Sequence, residues 1–84
     1  MMLATFLQAA AGAALGNAGI ALGAAIAGIG AAIGLGKIGQ STFESIARQP
    51  QAAGDIRGAM IIIGAFIEGV ALFAMIVCIL ALPK

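Results

Sequence analysis

The chain has 84 residues, of which 63% are hydrophobic and 8% charged. Soluble domains carry about 25% charged residues, so the four Lys or Arg and three Asp or Glu present cannot cover a water-exposed surface. With no His and one Cys, His-based catalysis, His or Cys metal sites and internal disulfides are excluded, and a net charge of +1 gives no electrostatic footprint for nucleic acid.

Residues 1–36 carry no charge, which is long enough for a membrane span of about 20 apolar residues. This stretch has neither the basic start nor the short apolar core of a secretory signal. A first helix is expected over about residues 3–45. It is rich in Gly and Ala, with nine glycines up to Gly39. In lipid, small residues mark places where helix backbones approach closely. Gly28, Ala32 and Gly36 form one row at spacing four, and Gly30 and Gly34 form another. A two-residue offset is about 200° of rotation on a helix, so the rows lie on nearly opposite sides. Such a helix can take a close neighbour on each side, and a repeated contact that closes is a ring. A single small-xxx-small dimer face is the plainer reading of the same spacing.

A polar loop is expected over about residues 46–54. The wider segment 37–57 holds Lys37, Glu44, Arg48, Asp55 and Arg57, five of the seven charges, with Gln49, Pro50 and Gln51 at its centre. The excess of Lys and Arg there puts this loop on the cytoplasmic side, with both ends of the chain across the membrane.

A second helix is expected over about residues 55–82. It is bulky where the first is smooth, with Ile61, Ile62, Ile63, Phe66, Leu72 and Phe73. The first helix is therefore expected to pack on protein, with the second outside it. Within residues 58–82 the only charged residue is Glu68, close to the middle. A charge at that depth costs at least ~2.5 kcal/mol, so the group must be paired, neutral or functional. Its sequence neighbours Ile67, Gly69, Val70, Ala71 and Leu72 offer no polar side chain. With the turn near Gln49–Gln51, Leu35 or so is expected level with Glu68. Lys37 then points about 200° away from Leu35 and snorkels toward the loop rather than pairing with Glu68. Cys78 and the methionines read as packing residues, and Gln8 and Asn17 as interfacial ones.

These features together resemble the c subunit (proteolipid) of F-type ATP synthases. Three motifs carry the resemblance: the loop of residues 43–50 ending in Arg48-Gln49-Pro50, the series Gly28, Gly30, Gly34 and Gly36, and Glu68 twenty residues after Arg48. The resemblance implies an all-α membrane protein, a two-helix transmembrane hairpin that assembles into a closed homo-oligomeric ring. Glu68 would carry a proton between half-channels and release it near an Arg of the a subunit. The loop would meet the gamma and epsilon subunits of the central stalk, and ATP would be made elsewhere, without a cofactor in this chain. Membrane lipid would surround the ring, in a bacterial plasma membrane or an organelle equivalent. Sodium-coupled members place side-chain oxygens at positions that here are Leu35, Gly69, Val70 and Phe73, so the transported ion is expected to be a proton. Where the family's fullest glycine pattern has Gly, this chain has Ala32. Rival readings are a sodium-coupled rotor, a holin-like pore, a small multidrug transporter and a purely structural hairpin. The last of these would tolerate Glu68→Gln.

Overall fold

The computed structural model describes residues 1–83. Helix α1 spans Met2–Arg48, one 3-10 turn spans Pro50–Ala52, and helix α2 spans Ala53–Ala81. Both helices are long and apolar enough to cross a membrane. At a rise of about 1.5 Å per residue, α1 is about 70 Å long and α2 about 44 Å. A helix satisfies its backbone groups internally, which lipid cannot do for it, so even a glycine-rich segment stays helical there.

The turn is tighter than the sequence suggests. The expected loop of residues 46–54 shrinks to Gln49 and the 3-10 turn, because Ser45, Ile46, Ala47 and Arg48 do nothing to break a helix. Pro50 does the breaking. A residue before proline is driven out of the helical region, and Gln49 has φ −133° and ψ 70°. The Gln49 N–H still donates to the Ser45 carbonyl at 2.9 Å, and the Ala52 N–H donates to the Gln49 carbonyl at 2.9 Å. Pro50 opens the 3-10 turn, where its missing N–H costs nothing. Arg48 in the last turn of α1 and Asp55 in the first turn of α2 each suit the local helix dipole.

The helices meet along one seam. On α1 the half-buried residues Ile20, Ala24, Ala27, Ala31, Gly34 and Ile38 alternate at spacings of four and three. Met60, Gly64, Ile67, Ala71, Ala74 and Cys78 do the same on α2. This is the ridge pattern of shallow left-handed helix crossing. Cys78 thus lies on the packing face. The closest approaches use glycine: a Cβ at Gly64 would stand 3.4 Å from Leu35 Cδ2, and one at Gly34 would stand 3.7 Å from Ile67 Cδ1. Gly64→Leu should therefore overpack the seam and cost about 1–3 kcal/mol. Spin labels at Leu22 and Ile79 should report the helices moving apart, whereas Gly64→Ala should leave their distance nearly unchanged.

Among the described residues no apolar side chain is buried, and Thr42 alone is buried, at 7% exposure. Its hydroxyl donates to the Ile38 carbonyl at 2.7 Å, so the one buried polar group is satisfied. Phe66 and Phe73 stay 71% and 70% exposed. A surface this apolar requires lipid or protein around it.

Candidate ion-carrying site

Glu68 follows Ile67, which packs against α1, and its own side chain is exposed. The contacts of Gly34 with Ile67 and of Leu35 with Gly64 set the antiparallel register. Carried along α2, that register puts Glu68 level with residues 31–33. The expected level partner, Leu35, instead lies about one turn nearer the loop, against Gly64. Reflecting Glu68 through a turn centred on Pro50 gives residue 32, so the expectation of Leu35 set the register about three residues too close to the loop.

Among the described residues no side chain hydrogen-bonds to the carboxyl. The side-chain hydrogen bonds among the described residues start from Thr5, Gln40 and Thr42, and none reaches Glu68. No cluster of three or more His, Cys, Asp or Glu occurs among those residues. Leu35, Gly69, Val70 and Phe73 contribute no side-chain oxygen. Lys37 is exposed, two residues from the half-buried Leu35, and so faces away from α2.

The hairpin has two unlike broad sides. Phe66 and Val70 each stand two residues from Glu68, about 200° around α2. They line an open apolar groove of about 420 Å³ with Ala74 of α2 and with Gly30 and Gly34 of α1. One side therefore carries the groove and the other carries Glu68. The small-residue rows divide in the same way. Gly30 and Gly34 border the groove, whereas Gly28 flanks the seam on the Glu68 side and Ala32 and Gly36 turn progressively toward the back of α1. Gly28 and Gly34 are half-buried against α2, while Gly30, Ala32 and Gly36 are exposed. The sequence reading missed this asymmetry. Its signal was the pair of bulky residues two positions before and after Glu68. At the turn, Arg48, Gln49, Pro50 and Gln51 are all exposed, which leaves their side chains free for a partner.

The family model for the ATP synthase c subunit matches residues 18–81. That segment holds the seam, both small-residue rows, the Arg48-Gln49-Pro50 turn and Glu68. The chain is 68% identical over 82 residues to the ATP synthase c subunit of Phocaeicola vulgatus, covering 98% of each chain. It is 57% identical over 81 residues to that of Bacteroides thetaiotaomicron, covering 95% of each. The ATP synthase c subunit of Syntrophomonas wolfei is 44% identical over 52 residues, which are 62% of this chain and 72% of that one. No solved structure matches. An unpartnered carboxyl on a smooth two-helix membrane hairpin is thus found within matching sequence along nearly the whole chain, and the chain belongs to the family of ATP synthase c subunits.

Proposed function

We propose that copies of this hairpin form a closed rotor ring in which Glu68 carries protons across the membrane. The observation that carries this reading is the isolation of Glu68. It is the one ionisable group between Arg57 and Lys84 apart from a cysteine thiol, and it meets no polar side chain among the described residues of its own chain. In the ring, the grooved side of one copy would receive the Glu68 side of the next. Phe66 and Val70 would then shield the neighbour's carboxyl from water. This contact joins two different surfaces of the same chain, and a rotation that closes makes a ring of it.

Protonation would gate movement. A neutral carboxylic acid crosses the lipid-facing arc far more cheaply than a carboxylate. Release would occur near a fixed cation of the a subunit, which favours the charged form. The exposed turn of Arg48, Gln49 and Pro50 would meet the gamma and epsilon subunits of the stalk on the cytoplasmic side of a bacterial plasma membrane. The hairpin itself would bind no nucleotide and make no ATP.

A proton fits the residues better than sodium. A hard cation needs several oxygen ligands, and the positions around Glu68 supply none from side chains. The test is labelling of the solubilised protein with a hydrophobic carbodiimide, which attacks protonated carboxyls in apolar surroundings. Glu68 should be labelled selectively over Glu44 and Asp55, and the labelling should be unaffected by sodium. Protection by sodium would transfer the reading to a sodium-coupled rotor. Equal labelling of all three carboxyls would overturn the carrier role.

A further inference from the structure

The two helices are unequal, and the surplus lies at one end. Helix α1 has 47 residues and α2 has 29. Leu82 is extended, at φ −60° and ψ 138°, because Pro83 follows it, and α2 stops there. Carried along from Gly34 against Ile67 and Leu35 against Gly64, the register puts Ala81 level with Ala18 to Ile20 of α1. Ile20 is also the first half-buried residue of α1, and every residue before it is exposed. Residues 2–17 therefore stand beyond the end of α2, over about 24 Å. The helix runs straight through this stretch, since the long axis of the molecule measures 74 Å, close to the ~70 Å of α1 alone.

A bilayer does not cover this overhang. About 20 residues of α2 fill a hydrocarbon layer of about 30 Å. The apolar run of residues 58–82 can hold that layer in more than one position. In every one of them residues 2–17 lie outside it, on the side away from the loop. Yet the overhang has no charged side chain, and Met2, Leu3, Phe6, Leu7 and Leu15 are all exposed. Its Thr5 hydroxyl already donates to the Met1 carbonyl at 3.0 Å. So apolar a surface calls for a protein cover.

The edges of α1 indicate which cover. At about 100° of rotation per residue, Gly12, Gly16, Gly19, Gly23, Gly30 and Gly34 fall within about 60° of one another. Ala10, Ala14, Ala21 and Gly28 fall within about 40°, on the opposite side of the helix. The first edge includes Gly30 and Gly34 of the groove, and the second includes Gly28 on the Glu68 side. Both edges run on past the end of α2 without a break. The hairpin has no use for the glycines of the far half, because a Cβ at Gly12, Gly16, Gly19 or Gly23 would meet nothing within 4 Å. A helix interior prefers alanine to glycine, so the smoothness there serves a neighbour outside the chain.

We propose that residues 2–17 pack against the same residues of neighbouring copies, so that the first helices of the ring continue past the second ones as a free-standing collar. This inference rests on the ring reading, in which the grooved side of one copy receives the Glu68 side of the next. Copies related by rotation alone keep their α1 helices parallel and level. The pairing of a glycine edge with an alanine edge therefore carries over from the groove to the overhang. There Gly12 and Gly16 of one copy meet Ala10 and Ala14 of the next, and small residues let the backbones come close. A second copy is the occupant that brings both edges at once and in register. The uncharged overhang offers nothing to a charged partner, and a head-group layer would leave both edges unfilled.

The test is disulfide trapping in rings held in their own membrane. Gln8→Cys and Ala10→Cys are combined with Cys78→Ala, which removes the native thiol. Position 8 borders the glycine edge and position 10 belongs to the alanine edge. The two point about 200° apart on one helix, so they cannot bridge within a chain. Between neighbours in a collar they face each other. Mild oxidation should join the chains into a covalent ladder that climbs to the size of the ring, and either cysteine change alone should give no ladder. A double variant that stays monomeric on a denaturing gel, although its ring is intact in mild detergent, would overturn the collar and leave the ring reading standing. That is the result expected of overhangs splayed onto the membrane surface. If the unaltered chain forms no ring, both readings fall. If the double variant does not assemble, hydrogen exchange on unaltered rings decides. Backbone amides of residues 6–17 should then exchange as slowly as those of residues 20–36, and exchange at least ~100-fold faster would overturn the proposal.

Discussion

Glu68→Gln should assemble normally and abolish proton translocation. The amide keeps the size and polarity of the protonated acid, so packing on the broad side of the hairpin is conserved. What it loses is the exchangeable proton and the charged state. In vesicles containing the whole synthase, ATP-driven acidification should fall to background, at least ~100-fold, as expected when a group used as a proton donor and acceptor is removed. The proposed ring should still assemble, with the oligomer content on a mild-detergent gel unchanged. Glu68→Asp should retain a measurable rate, because the titrating group survives one methylene shorter. A Gln variant that still pumped would move the carrier away from Glu68, and no other carboxylate is available between residues 58 and 83.

Gly30→Leu should leave the hairpin folded and prevent the oligomer. A Cβ at Gly30 meets nothing within 4 Å in its own chain, so the hairpin has room for the larger side chain. Gly30 borders the groove that a second copy is proposed to fill. A leucine there would occupy that space and hold the neighbouring backbone away, at a cost of several kcal/mol summed over all copies, given overpacking of about 1–3 kcal/mol at each contact. The measurement is oligomer content on a gel alongside spin-label distances within the hairpin. Loss of the oligomer with an unchanged internal distance supports the ring contact. An oligomer that persists would place the contact on another face. The contrast with Gly64→Leu is diagnostic, since that change strikes the seam inside one chain.

Much of this architecture was legible because membranes impose simple rules. Two long apolar runs separated by a charged segment leave little choice but a hairpin, and a lone carboxylate in the second run is conspicuous on cost alone. The helix ends were harder. Ile46 to Arg48 look like loop residues within the charged segment, yet nothing before Gln49 disfavours a helix, so the turn is shorter than its composition implies. The cross-hairpin level was missed separately, because a turn centred near Pro50 sets residue 32, not Leu35, level with Glu68. Leu35 lies against Gly64 rather than beside Glu68, and only the packed helices reveal which side chain fills which glycine. The two unlike broad sides require both helices at once. Phe66, Val70, Gly30 and Gly34 are far apart in sequence and become one groove only after the seam is set.

The lack of an interior changes what stability means for this polypeptide. With Thr42 the single buried side chain among the described residues, an isolated copy has only the half-buried seam between its two helices to lose. Most resistance to heat or denaturant beyond that seam comes from its surroundings and from like copies, so it follows mass action and rises with protein concentration and with the host amphiphile. A melting temperature measured in one detergent at one dilution is therefore a property of that mixture. Comparisons between variants are meaningful only when both are held fixed.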